Sequence, residues 1–363
     1  MNILIAPNAF KGTMTAEEAA QIIKEAICQI LPDDDFILCP IADGGDGTSF
    51  LLAKAMDMPL IHLMALDAIG RPLPGYLVIS KDGSRAIMDV STVSGIRHLA
   101  LDHRDPFLAG TYGTGEMIAA AISKGAAEIV LGLGGTASID MGAGILRGLG
   151  FLFLDDHGRE IPMFSPFFMN KIRYIQRPIK KHSVKFTLLC DVHHSFFGDN
   201  GAIAVFGPQK GLQADQTLQM EKNCMEFYHL LQKKSGKKLD DLPGYGAAGG
   251  IAFGLSAFYP VEIKNGSEFF FHQVGMADKV RKADLIITGE GRYDTQSDEG
   301  KGCFKLMQLA AKWQKQIILI TSGNDGAEGF DDIIRLPSLD ERDVIRSAKN
   351  LLYTAVRDYF NKK

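Results

Sequence analysis

Short apolar runs and amphipathic stretches alternate at both ends of this 363-residue chain. Ile3-Leu4-Ile5-Ala6 reads as a buried strand and is followed by the turn Pro7 to Gly12. Thr15 is placed to cap a helix running to about Ile30, with Glu17 and Glu18 in its first turn. Phe36 to Cys39 predicts a second strand, and Asp43 to Thr48 opens the next helix. Near the other end, Leu285 to Thr288 and Ile317 to Ile320 are again buried-strand runs, separated by a helical pattern from Gly302 to Gln314. This strand-loop-helix rhythm predicts a parallel α/β sheet, whose ligand-holding loops follow the strand C-termini.

The rhythm changes after Pro59. Ile61 to Ala65, Gly75 to Ser80 and Ala86 to Val90 read as strands joined by turns, which gives antiparallel character. A helical pattern from Gly115 to Lys124 follows, and the strand Glu128 to Leu133 leads into Gly134-Gly135-Thr136. The expected organisation is a discontinuous Rossmann-like parallel-sheet domain (residues 1–60 and 283–363) with a second, mixed-sheet α/β domain (61–282) inserted.

Composition narrows the partners. Hydrophobic residues make up 46% of the chain and charged residues 23%, as in an ordinary soluble globular protein. A net charge of −4 supplies no basic field, so nucleic acid is not an expected partner. The basic run Lys171 to Lys185 lacks interleaved aromatics beyond Tyr174 and reads as a solvated connector. Five scattered cysteines without metal or redox spacing predict free thiols. The N-terminus lacks a signal-peptide pattern, and the apolar tract Ile129 to Leu154 carries Asp140 and Arg147, which speaks against a membrane span. A cytoplasmic protein is expected. Phe164 to Met169 reads as packing under the basic connector, with an association patch as the alternative; a homo-oligomer stays open.

Five glycine-and-acid clusters carry the candidate chemistry: Asp43 to Thr48; Gly134 to Asp140; Asp191 with Gly207 to Gly211; Gly244 to Gly250; and Gly289 to Asp294 with Gly300-Lys301. Glycines let backbone N–H groups approach an anion, and neighbouring carboxylates suit Mg²⁺ coordination or proton abstraction. Together these features point to phosphoryl transfer. Each loop read singly is more simply a turn, and no Walker-type or complete dinucleotide motif is present. Asp191-Val-His-His194 lacks a third spaced ligand for a metal site.

At these residues the chain resembles the bacterial glycerate kinase type 1 family over nearly its whole length. The resemblance rests on Ile5-Ala6-Pro7-x-x-Phe10-Lys11-Gly12, Ala42 to Thr48, Thr111 to Glu116, Phe206 to Gly211, Gly246 to Gly250 and Ile287 to Gly291. It implies ATP and Mg²⁺ as cofactors, D-glycerate as acceptor and the 2-hydroxyl as the phosphorylated position. It also implies a site in the cleft between two different α/β domains. Several positions depart from the family pattern. Asn8 stands where Asp is usual, Ile139 and Met141 where Asn and Gly are usual, His194 and Ser195 in place of Asn-Pro, and Cys303 in place of proline. Asp46 and Asp89 each replace Glu.

Within that reading, Asp191 is the expected base for the acceptor hydroxyl, and Lys11 neutralises the transferring phosphate. Asp43 and Glu290 stand near the metal and phosphates. Asn8, Gly44, Gly45, Gly134, Gly135, Thr136, Ser138, Lys210 and Gly249 are expected binding positions, with Asp294 and Lys301 for nucleotide-side or closure contacts. Two alternatives follow from the departures: a homologue that binds glycerate or nucleotide with little catalysis, and a kinase for another small hydroxy acid.

Overall fold

The computed structural model describes residues 1–10, 12–180, 182–192, 194–293, 302–323, 328–337 and 344–363. Its strands are Asn2–Ile5 (β1), Asp35–Leu38 (β2), Leu60–Leu66 (β3), Pro72–Ile79 (β4), Arg85–Asp89 (β5), Glu128–Gly132 (β6), Leu152–Leu154 (β7), Tyr174–Gln176 (β8), Lys185–Leu189 (β9), Val261–Lys264 (β10), Leu285–Gly289 (β11), Gln316–Thr321 (β12) and Asp332–Arg335 (β13). The chain divides into two compact units, one of Met1–Asp43, Lys54–Met56 and Asn265–Lys363, the other of Gly44–Ala53 and Asp57–Lys264.

The first unit is built on a sheet of order β13-β12-β11-β1-β2, parallel at every pairing. Its central strands read Asn-Ile-Leu-Ile and Leu-Ile-Ile-Thr-Gly because both faces of a parallel sheet are covered. Ile3, Ile5, Ile23, Ile27, Ile287 and Ile320 share one core, to which helix Ala16–Cys28 brings its apolar stripe. That helix starts where its capping signal stands. Glu18 N–H donates to the Thr15 hydroxyl at 3.1 Å, and the Glu18 carboxylate accepts from Thr15 N–H at 2.9 Å.

The second unit holds a mixed sheet of order β10-β9-β6-β5-β4-β3. β3, β4 and β5 run antiparallel, as the turns between them predict; β5, β6, β9 and β10 are parallel. A two-stranded antiparallel ribbon, β7-β8, lies apart from it. The architecture is therefore mixed α/β with one wholly parallel sheet and one mixed sheet. All five cysteines are free thiols. No helix among the described residues is long and apolar enough to cross a membrane.

Candidate active site

In the first unit the chemistry-bearing residues follow the C-terminal ends of parallel strands. Asn8 lies beyond β1, Asp43 beyond β2, and Glu290 is the residue after β11. The Asn8 side-chain amide donates to Asp43 Oδ2 at 3.3 Å, while its Oδ1 accepts from Ala9 N–H at 2.8 Å. Asn8 and Glu290 are buried and Asp43 is half-buried. The Cys303 thiol joins this group. Burial pushes its pKa well up, and the negative charges of Glu290 and Asp43 push the same way. Cys303 is thus an inert, protonated neighbour of the two acids. Lys11, Asp294 and Lys301 lie outside the described residues.

The second unit brings together a larger set. The loop Gly134–Asp140 leaves the C-terminal end of β6 and packs directly on the loop Gly44–Thr48. A Cβ at Gly134 would stand 2.5 Å from Gly45 Cα, so only glycine permits this approach. Gly249, at φ +66°, fits as closely, since a Cβ there would meet the Ser138 carbonyl oxygen at 2.1 Å. Lys210 completes the cluster: its ammonium donates to the Ser138 carbonyl at 2.8 Å and to the Thr136 hydroxyl at 3.1 Å. Lys210 is 5% exposed, and burial lowers its pKa to about 8, opposed by the Asp140 charge. Gly135 is exposed, Thr136 is buried and Ser138 is fully buried. Ser138 therefore meets Lys210 through its backbone. Asp191 lies two residues past β9, half-buried.

Two structurally important acids, Asp89 and Asp46, carried no assigned role in the sequence. Asp89, at the end of β5, is 1% exposed and accepts from the Ser49 backbone at 3.1 Å and the Ser49 hydroxyl at 2.8 Å. Burial pushes Asp89 up to about 7 even against these bonds, which pull it down. Asp46 accepts from the Ser91 hydroxyl and from Arg97, both at 2.7 Å. These bonds hold the Gly44–Thr48 loop at its middle, through Asp46, and just past its end, through Ser49. What the sequence did mark was Asp46, inside the Asp43–Thr48 cluster, and both acids as replacements for Glu.

Motif-like residues also proved to be braces. Thr111 donates through its N–H and its hydroxyl to Asp140 Oδ2, both at 2.8 Å, and Glu116 accepts from Leu66 N–H at 2.9 Å. Met141 is fully buried at φ +49°, its N–H bonded to the Gly249 carbonyl, so its bulk fills the core.

The sequence profile of the glycerate kinase family matches residues 3–356. The chain belongs to the glycerate kinase family. Within it, the chain is 34% identical over 320 residues to the glycerate kinase of Bacillus subtilis strain 168, covering 88% of this chain and 84% of the relative. It is also 34% identical over 322 residues to the glycerate 2-kinase of Escherichia coli K12, covering 88% and 84%. A crystal structure from Salmonella typhimurium LT2, provisionally named glycerate kinase 2, superposes with a TM-score of 0.81 at 29% identity over 100% of this chain and 98% of that one. This protein is accordingly a kinase with the fold of that family.

Proposed function

We propose that this protein transfers the γ-phosphate of ATP to the 2-hydroxyl of D-glycerate, giving 2-phosphoglycerate and ADP. Family membership over residues 3–356 is the observation that carries this reading. The chemistry of the loops supports it, because phosphoryl transfer needs positioning and charge neutralisation more than covalent chemistry.

The roles divide by residue type. Lys210, with a lowered pKa and two neutral oxygen partners, is a cation for a phosphate or carboxylate. Gly44, Gly45, Gly134, Gly135 and Gly249 shape the loops around it. Asp191 serves as the base for the acceptor hydroxyl, and Lys11 neutralises the transferring phosphate; Asp294 and Lys301 take nucleotide-side contacts. Asp43 and Glu290 supply hard carboxylate oxygens suited to Mg²⁺, an ion that takes one or two carboxylates and fills its shell with water and phosphate oxygens. No group of three or more acids, histidines or cysteines among the described residues converges as a metal cage. The donor set therefore fits an ion that arrives with nucleotide, for which Asn8 would orient Asp43 through its amide. When bound, Mg²⁺ would offset the charge of the phosphate oxygens.

The test is turnover of MgATP with D-glycerate, with the product resolved by NMR as the 2- or 3-phosphate. Formation of 2-phosphoglycerate is the expected result. The 3-phosphate would overturn the regiochemistry, and no turnover with any small hydroxy acid would overturn the kinase assignment.

A further inference from the structure

Asp89 stands where the Gly44–Thr48 loop meets the C-terminal end of β6, and the proposed reaction gives it no role. A Cβ at Gly132, the last residue of β6, would lie 2.6 Å from Asp89 Oδ1 and 3.0 Å from the Gly44 carbonyl oxygen. Carboxylate, loop and strand therefore share one close-packed point, which only glycine permits. From there Asp89 accepts the Ser49 N–H on both oxygens at 3.1 Å and the Ser49 hydroxyl on Oδ2 at 2.8 Å. These bonds fix the first turn of helix Thr48–Ala55 and the end of the loop that leads into it.

The donors are neutral, and the carboxylate is buried. Asp46 adds a like charge and is itself paired with Arg97. Tyr76, on β4, also faces Asp89; burial and then the Asp89 charge raise its phenol pKa, so it stays neutral. His98 Nε2 meets the Ser91 and Thr92 carbonyls. A buried carboxylate held by neutral donors beside a like charge favours its protonated form. Burial is the largest effect and pushes Asp89 up to about 7, while the Ser49 bonds pull it down. Lifting the loop away would hydrate the carboxylate and return it to the ordinary value of about 4.

We propose that Asp89 is a positioning residue that packs the Gly44–Thr48 loop against the end of β6 as a neutral acid, so that the order of this loop is linked to one proton. The inference rests on the phosphoryl-transfer reading for one point, that Gly44 and Gly45 are binding positions. The sign follows from linkage. The packed loop carries the raised pKa and the open loop the ordinary one, so packing is fully favoured below pH 4. It weakens as pH rises from 4 to 7 and levels off above 7. Lys210, whose pKa is lowered to about 8, titrates above that window.

The test is amide hydrogen exchange of the full chain between pH 5 and pH 8, read by mass spectrometry on peptides covering residues 44–49 and corrected for the intrinsic rate. Protection of this segment is expected to fall about 50-fold from pH 5 to pH 7 in the wild type. In Asp89→Asn it should not vary with pH. Ser49→Ala removes a bond that favours the charged form, so its decline should continue to higher pH than in the wild type. That variant also serves if Asp89→Asn fails to fold. Protection independent of pH in the wild type would overturn the proposal. The same pH dependence in Asp89→Asn, or an unshifted profile in Ser49→Ala, would do so too. The readout needs no substrate: pH-linked exchange in a chain that phosphorylates nothing would leave the proposal standing and sink the kinase reading.

Discussion

The ammonium of Lys210 lies 2.8 Å from the carbonyl oxygen of Ser138, in a site where that lysine is 5% exposed. Its partners, a carbonyl and the Thr136 hydroxyl, are neutral. They satisfy hydrogen bonds without balancing the charge, and burial lowers the pKa to about 8.

That shift has a definite sign. A folded-state pKa below the ordinary 10.5 means that the protonated lysine costs stability below pH 8, by about 3 kcal/mol. The cost fades as pH rises from 8 to 10.5. An anionic ligand favours the protonated form, so its affinity should weaken as pH rises through 8. Lys210→Met is expected to lose that pH dependence together with most activity, while its Tm at pH 7 stays level or rises. Acceptor KM and thermal unfolding, both followed from pH 6 to 10, check this.

Asn8 and Asp43 give a second prediction. The Asn8 amide donates to Asp43, whereas Asn8→Asp would set two carboxylates about 3.3 Å apart. Without Mg²⁺ that variant should be destabilised by about 1–3 kcal/mol. With Mg²⁺ it should recover, because an ion between the carboxylates removes the repulsion. Denaturant unfolding with and without the ion decides this. Equal destabilisation in both conditions would argue against an ion at Asp43.

Met141 gives a third. Its left-handed backbone invites glycine, and Met141→Gly should relieve about 1 kcal/mol of strain. The side chain is fully buried, however, and removing it costs more, on the scale of other large-to-small core changes. A net destabilisation of about 1–4 kcal/mol is expected in chemical denaturation. A more stable variant would mean that strain outweighs packing.

For Asp191, the proposed base, Asp191→Asn should lower kcat by about 100- to 10,000-fold with little change in Tm. Near-normal turnover would remove Asp191 from the mechanism.

Much of the fold was legible in local pattern. The apolar runs at Ile3, Leu285 and Ile317 are strands because a parallel sheet covered on both faces needs continuous hydrophobic residues. Thr15 and Glu18 placed a helix start through bonds spanning three residues. The turn-rich stretch after Pro59 became the antiparallel half of the mixed sheet. Less of the candidate site was legible. Thr111 and Glu116 stand in a segment that carries the family resemblance, yet their side chains bond Asp140, Ile145 N–H and Leu66 N–H.

By itself, then, the sequence determined the α/β class, the parallel and antiparallel segments and the family, because periodicity, capping and short motifs act over a few residues. Tertiary structure decided which groups meet. Lys210 reaches Thr136 across 74 positions, Asn8 reaches Asp43 across 35 and Ser49 reaches Asp89 across 40. Such contacts depend on strand order and burial, which bring distant loops to the same end of a sheet. Burial also lowers the Lys210 pKa and raises that of Asp89. Neither shift belongs to a residue type; each arises from the low-dielectric surroundings that the fold creates.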